Sequence, residues 1–203
     1  MKPLRILAVS GSLRARSSNA EVLRAATMLA PDEFLVTLYE GVGDLPHFNP
    51  DLDRPESVIP PVVADLRARI AAAHAVLIST PEYAHGVPGS LKNALDWLVS
   101  GPEIPGKPIA VLMTSRYSVH APAALSEILR TMSARVVALE PGCVSLDGRR
   151  LAATQVLADP DLARVLRAAL ESLRAAHNDF VDEWPATTIA EARAAASEAP
   201  PSA

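Results

Sequence analysis

Cysteine is almost missing from this 203-residue chain, and the single Cys143 excludes both an internal disulfide and a metal site built from several thiolates. A reducing compartment is the simplest setting for it. No apolar run approaches the ~18 residues of a membrane-spanning helix. The stretch Ile6 to Val9 behind Lys2 and Arg5 also falls short of the about 7–15 apolar residues of a secretory signal. Basic excess is absent too: a net charge of −4 and a pI near 5.7 leave no positive field for a nucleic-acid backbone. Nor is the surface acidic enough for an electron shuttle that docks by charge. The five histidines, at 47, 74, 85, 120 and 177, show no paired metal-ligand spacing, so no metal site is expected. No Gly-x-Ser-x-Gly elbow organises a hydrolase. These absences lead to the expectation of a cytoplasmic protein without nucleic-acid or membrane partners.

What is there suits one globular domain. The hydrophobic fraction is 49% and the charged fraction 21%, both near the globular average. A chain of this size buries roughly 70% of its unfolded surface without a staple. Only residues 186–203, rich in alanine, glutamate, serine and proline, read as a disordered tail, which leaves residues 1–185 as the domain.

Short apolar runs alternate with helical patterns, as parallel βαβ units require. Strands are expected at Leu4 to Ser10, Phe34 to Tyr39, Ala75 to Thr80, Pro108 to Thr114 and Val136 to Leu139. Helices are expected at Asn19 to Leu29, Pro61 to Ala73, Ser90 to Val99, Pro122 to Ala134 and Asp159 to Phe180. Gly41 to Pro60, dense in Gly, Pro, Asn and Asp, reads as a loop of about twenty residues, a length more often functional than idle. The result is an α/β doubly wound sheet of five parallel strands, for which the order 2-1-3-4-5 is one of two common solutions. Ligands of such sheets sit beyond the carboxyl ends of the strands, so the loops after the first, third and fourth strands matter most.

The first of these loops is GSLRARSSN, Gly11 to Asn19. It matches neither the Walker pattern nor the three-glycine dinucleotide fingerprint. It offers instead three serine hydroxyls, two arginines and an asparagine wrapped onto a helix start, where open N–H groups and the helix dipole favour an anion. Ser12, Arg14, Ser17 and Asn19 would complete a monophosphate cage. A plain helix N-cap from Ser17 or Ser18 is the competing explanation. A cap does not need two arginines and three hydroxyls within nine residues.

The second loop opens TPEYAHGVPGSLKNALDWL, Thr80 to Leu98, with two prolines and two glycines that stiffen it and Ser90 placed to cap the next helix. A flat ring could lie against Tyr83 and His85 and take hydrogen bonds from the main chain around Glu82, Gly86 and Gly89. A proline-rich turn packed over Trp97 is the alternative.

Taken together, GSLRxxSxN and PEYxxxVPGxLKNALDWL resemble the NADPH-dependent FMN reductase family of flavodoxin-like proteins, which includes quinone and chromate reductases. Gly106-Lys107-Pro108, opening a strand that ends at Thr114-Ser115, is similar to the family's third element. The resemblance implies a flavodoxin-like three-layer fold and an FMN cofactor, reduced by NADPH or NADH. It implies that Ser12, Arg14, Ser17 and Asn19 hold the FMN phosphate. Pro81, Glu82 and Tyr83 would line the ring, with Ala84, His85 and Gly86 beside it and Ser115 touching it from the fourth-strand loop. Lys92, Asn93, Asp96 and Trp97 match as well and imply helix packing and subunit contact. No side chain need act as acid or base for hydride transfer, so no catalytic residue is singled out. The implied function is a ping-pong NAD(P)H oxidoreductase passing hydride to a small-molecule acceptor such as a quinone, a metal oxyanion or another flavin. The implied assembly is a homodimer or tetramer. The chain departs from the family in three places: Ala84 stands where asparagine is frequent, the bulkier and titratable His85 follows it, and RYSVHAP, Arg116 to Pro122, replaces a glycine-rich loop. Those departures support a rival reading, a non-catalytic flavodoxin-like binding or regulatory module.

Overall fold

In the computed structural model, which describes residues 2–54, 56–139, 143–146 and 148–183, strict alternation along each strand sorts the core into two layers. The strands are β1 (Leu4–Ser10), β2 (Phe34–Tyr39), β3 (Ala75–Ser79), β4 (Pro108–Leu112) and β5 (Arg135–Val137), all parallel, in the order β2-β1-β3-β4-β5. Leu4, Ile6 and Ala8 of β1, with Leu77 of β3 and Leu112 of β4, face one side. Leu7, Val9, Val76, Ile78 and Ile109 face the other. This is the expected flavodoxin-like arrangement, with β1 and β3 adjacent and the chain switching direction between them.

Helices cover both faces. On the first lie α1 (Ser18–Leu29), α5 (Ala153–Ala158) and α6 (Pro160–Glu183), which contribute Val22, Leu23, Ala26, Val156, Leu162, Leu166, Leu170 and Leu173. On the second lie α2 (Pro61–Ala72), α3 (Gly89–Asp96) and α4 (His120–Thr131), contributing Val63, Leu66, Ile70, Leu91, Leu95, Leu125 and Leu129. Each such large aliphatic side chain, fully buried, contributes about 1.5–3 kcal/mol.

Several boundaries differ from the sequence expectation, each for a local reason. α3 begins at Gly89 behind Pro88 with no side-chain cap, so Ser90 sits inside the helix and caps nothing. α4 begins at His120, two residues early, because a proline is tolerated within a first turn where its missing N–H has no partner to lose. α5, six residues long, is too short for its periodicity to be read. β3 stops at Ser79, just before the polar Thr80, β4 stops at Leu112, before Met113 bridges to Cys143, and β5 is only half-buried at the sheet edge. Cys143 is half-buried and pairs in a β-bridge with Met113. Residues 186–203 lie outside the described residues.

The long loop after β2 holds two short 3-10 turns and is anchored by side chains of α2 and α3. Asn93 accepts from the Phe48 N–H at 2.7 Å and donates to the Pro46 carbonyl at 3.0 Å, where the Trp97 Nε1–H also donates at 2.8 Å. Trp97 is fully buried, as its core reading requires. Asp53 is not the solvated turn carboxylate its setting implies. It is nearly buried against Arg67 at 2.8 Å and accepts from the Ser100 hydroxyl at 2.6 Å.

Candidate functional site

The β1, β3 and β4 loops meet at the carboxyl edge of the sheet, where β1 and β3 continue pairing one residue further through a Gly11 N–H to Ser79 O bond of 2.9 Å. A β-carbon on Gly11 would lie 2.3 Å from Thr80 Oγ1 and 2.8 Å from its Cβ. Only glycine lets the first loop press onto the end of β3. The chain then turns through Ser10, whose hydroxyl accepts from the Ser12 N–H at 3.2 Å.

Ser17 is the N-cap of α1, and its Oγ accepts from the Ala20 N–H at 3.3 Å. The cap and the phosphate reading are compatible, because a capping hydroxyl still has its own proton to donate. Among the described residues, the N–H groups of residues 15–19 find no acceptor. They stand at the positive end of α1, next to the nearly buried Ser12 and the exposed Arg14 and Arg16. A row of open amides, hydroxyls and two cations is anion-binding chemistry.

Asn19 is placed differently from a simple cage residue. It is buried, and its Oδ1 accepts from Ser79 Oγ at 2.9 Å and from Thr114 Oγ1 at 3.4 Å. It braces α1 against the ends of β3 and β4, and only its amide nitrogen remains to reach a ligand. Thr114 and Ser79 are residues that sequence reasoning missed; a hydroxyl at the last position of a strand was the available signal.

In the β3–α3 loop the Tyr83 N–H donates to Gly86 O at 3.1 Å and the Gly86 N–H to Tyr83 O at 2.9 Å. Ala84 and His85 between them have φ of 48° and 59°, the left-handed pair that a tight two-residue hairpin of type I′ needs. Asparagine and glycine suit those positions best, so the departure at Ala84 leaves backbone strain at the site. Of the amides expected to face a ligand, those of Tyr83 and Gly86 are spent across the hairpin. Ala84 and His85, at the exposed tip, keep theirs. Pro81, Glu82 and Gly86 are half-buried, and Tyr83 is 49% exposed.

Glu82 takes a role that its motif does not announce. Its Oε2 accepts from the His120 and Ala121 N–H groups, both at 2.8 Å, which caps α4 and locks the third-strand loop to the fourth. The Ala121 N–H bond first, with the His120 N–H, holds this carboxyl below the usual carboxylate range. Ser115 lies half-buried beside this junction, and its hydroxyl accepts from the Tyr117 N–H at 3.3 Å. That turn sends Arg116 and Tyr117 outward, with the guanidinium 5.3 Å from the phenol ring. The imidazoles of His85 and His120 stack at 4.3 Å and 9°. Sequence spacing could not reveal their meeting with Glu82, because Glu82 and His120 are 38 residues apart.

An anion cradle and a rigid, exposed turn at the switch point of a 2-1-3-4-5 sheet define a protein of the flavodoxin-like class. Within that class the chain belongs to the NADPH-dependent FMN reductase family, whose model matches residues 4–147. It is 38% identical to a quinone reductase of Escherichia coli over 114 residues, which are 55% of this chain and 60% of that protein. It is 40% identical to an NAD(P)H-dependent FMN reductase of Pseudomonas aeruginosa, again over 114 residues, 55% of this chain and 60% of that one. The match thus spans about 60% of the length of these curated relatives. Among solved structures, the flavoenzyme NAD(P)H:(acceptor) oxidoreductase FerB from Paracoccus denitrificans is 30% identical, with a TM-score of 0.60, covering 88% of this chain and 95% of that one.

Proposed function

We propose that the protein is an FMN-dependent NAD(P)H oxidoreductase that reduces a small-molecule acceptor. The observation that carries this reading is the row of open amides at residues 15–19, opening beside the strained hairpin at Ala84 and His85 on the same edge of the sheet. A phosphate suits the first and a flat ring suits the second. FMN would be held by Ser12, Arg14, Ser17 and the amides of residues 15–19 at its phosphate. Pro81 to Gly86 and Ser115 would line its ring. When bound, the flavin supplies hydride transfer, from NADPH or NADH to a quinone, a metal oxyanion or a free flavin, with one substrate leaving before the next enters.

The chain's own part is binding and electrostatics. Gly11 sets the distance between the phosphate loop and β3. Asn19 fixes the start of α1 against both neighbouring strand ends. Glu82 holds the two ring-side loops in register, so that the exposed amides of Ala84 and His85 can stabilise negative charge on a bound ring. Tyr83 and Tyr117, 49% and 76% exposed, flank the opening and suit subunit contact in a homodimer or tetramer.

The test is an absorbance spectrum of the purified protein, repeated after anaerobic NADPH and again after a quinone. A flavin band that bleaches and then recovers is expected. A protein that carries no flavin and takes none up from added FMN would instead be the non-catalytic module.

A further inference from the structure

The reading above uses the backbone of His85 beside the ring and makes no use of the two imidazoles, of His85 and His120, that meet at the mouth of the site. His85 reaches this place from the strained tip of the β3–α3 hairpin, and His120 from the first residue of α4. One ligand atom from each, and one carboxylate oxygen of Glu82, all lie within 4.8 Å of one another. We propose that Glu82, His85 and His120 form a binding site for one divalent transition-metal ion of the zinc or copper class, at the junction of the β3–α3 and β4–α4 loops.

The donor set decides the class of ion. Two imidazole nitrogens and one carboxylate oxygen suit zinc, copper, nickel or cobalt, whereas magnesium and calcium are held by oxygen alone. Three protein ligands leave at least one position open, which the exposure of both histidines permits.

The scaffold is partly prepared before any ion arrives. Both hydrogen bonds of Glu82 go to Oε2, so its carboxylate is fixed by two amides while Oε1 accepts none among the described residues and is left to ligate. Ala84 and His85 both hold positive φ, and that strained turn is what carries His85 across to His120.

Two terms oppose the ion, and both are small. Parallel rings aim their lone pairs along parallel planes, so one imidazole must turn about its Cβ–Cγ bond before both can share a metal. Both rings are exposed, so the turn displaces little. The positive end of α4 disfavours a cation, and the Glu82 carboxylate seated on it offsets that charge. The site is built from this chain alone and does not depend on flavin, so its failure would leave the oxidoreductase reading standing.

The experiment is a calorimetric titration of the untagged full-length protein with Zn²⁺. Copper electron paramagnetic resonance on the same material reads the ligand nitrogens directly. The expected result is one Zn²⁺ per chain and a Cu²⁺ signal split by two imidazole nitrogens. His120→Ala keeps the backbone N–H that Glu82 uses and places a good helix former at the start of α4. His85→Gly relieves the positive φ. Each variant should therefore fold, and each should weaken Zn²⁺ binding by roughly tenfold or more. No Zn²⁺ uptake by the wild type, wild-type affinity in either variant, or a Cu²⁺ spectrum without two-nitrogen splitting would overturn the proposal.

Discussion

The two ends of the sheet treat their polar groups in opposite ways. At the carboxyl edge the amides of residues 15–19 are left open beside two exposed arginines. At the amino edge the polar groups are joined to one another. The Arg5 N–H donates to His74 Nδ1 at 3.1 Å, the His74 N–H returns to Arg5 O at 2.8 Å, and Arg5 Nε reaches Ala72 O at 2.7 Å. Lys107, 5% exposed, donates to Ala73 O at 2.6 Å, and the His74 ring stacks on His177 at 4.9 Å. The His177 Nδ1 is an exception, buried without a hydrogen-bond partner among the described residues. A helix start normally has its orphan donors capped or wetted, and a buried cation must be bonded. The contrast therefore separates an edge whose donors are left open from an edge whose polar groups largely satisfy one another.

The largest effect expected from breaking that contrast comes from Gly11→Ala. The new methyl group would meet the Thr80 side chain at 2.3 Å, so the loop after β1 must lift from β3. We expect a loss of about 1–3 kcal/mol in urea unfolding, the usual cost of overpacking, together with loss of most bound flavin. Unchanged stability and flavin content would show that the loop is not pressed against the strand. Arg14→Ala attacks the same edge without touching the core, since Arg14 is exposed. Its expected cost falls on the ligand alone: roughly tenfold weaker FMN retention, the size of one charge-assisted hydrogen bond, at unchanged melting temperature. Flavin content equal to the wild type would misplace the cage.

What was legible beforehand follows the same division. The strand positions and the open helix start after β1 are written in contiguous residues, where alternation and a serine-rich run carry the message locally. The second role of Asn19, as a brace for Ser79 and Thr114, depends on residues 60 and 95 positions away. The Glu82 cap on α4 and the burial of Asp53 under Arg67 likewise arise only when distant segments pack. Ser90 misled because a proline before the helix had already set its start, which left the hydroxyl with nothing to cap.

At the closed edge the expected effect depends on pH. The His74 pKa is pushed down to about 4, first by burial and then by the charges of Arg5, His177 and Lys107. Burial also lowers that of His177, with Lys107 and Arg5 adding to the shift. An unfolded chain takes up these protons near the ordinary histidine value of about 6.5, before the folded one can. Stability present at neutral pH is therefore lost as the pH falls from about 6.5 through about 4. His74→Asn keeps an acceptor for the Arg5 N–H and removes the titrating ring, so the acid slope of the melting temperature should become shallower. An identical slope would show that His74 is not the group sensing acid.

The smallest effect tests whether strain at the open edge lies in the backbone or in the side chains. Ala84 holds a φ of 48°, where a β-carbon costs about 1–2 kcal/mol, while glycine adds about 0.5–1 kcal/mol of freedom to the unfolded chain. Ala84→Gly should therefore raise stability by roughly 0.5–1 kcal/mol, a melting temperature up by about 2–3 °C at this chain length. Gly86→Ala, on the other side of the same hairpin, is the control. Its β-carbon would meet only Tyr83 O at 3.7 Å, an ordinary contact, and a change within about 0.5 kcal/mol is expected. If Ala84→Gly lowered the melting temperature instead, the Ala84 methyl group would have to make a stabilising contact, and the hairpin would be held by packing. If both variants behave as expected, the strain belongs to the two left-handed residues and to the turn that carries His85 across to His120.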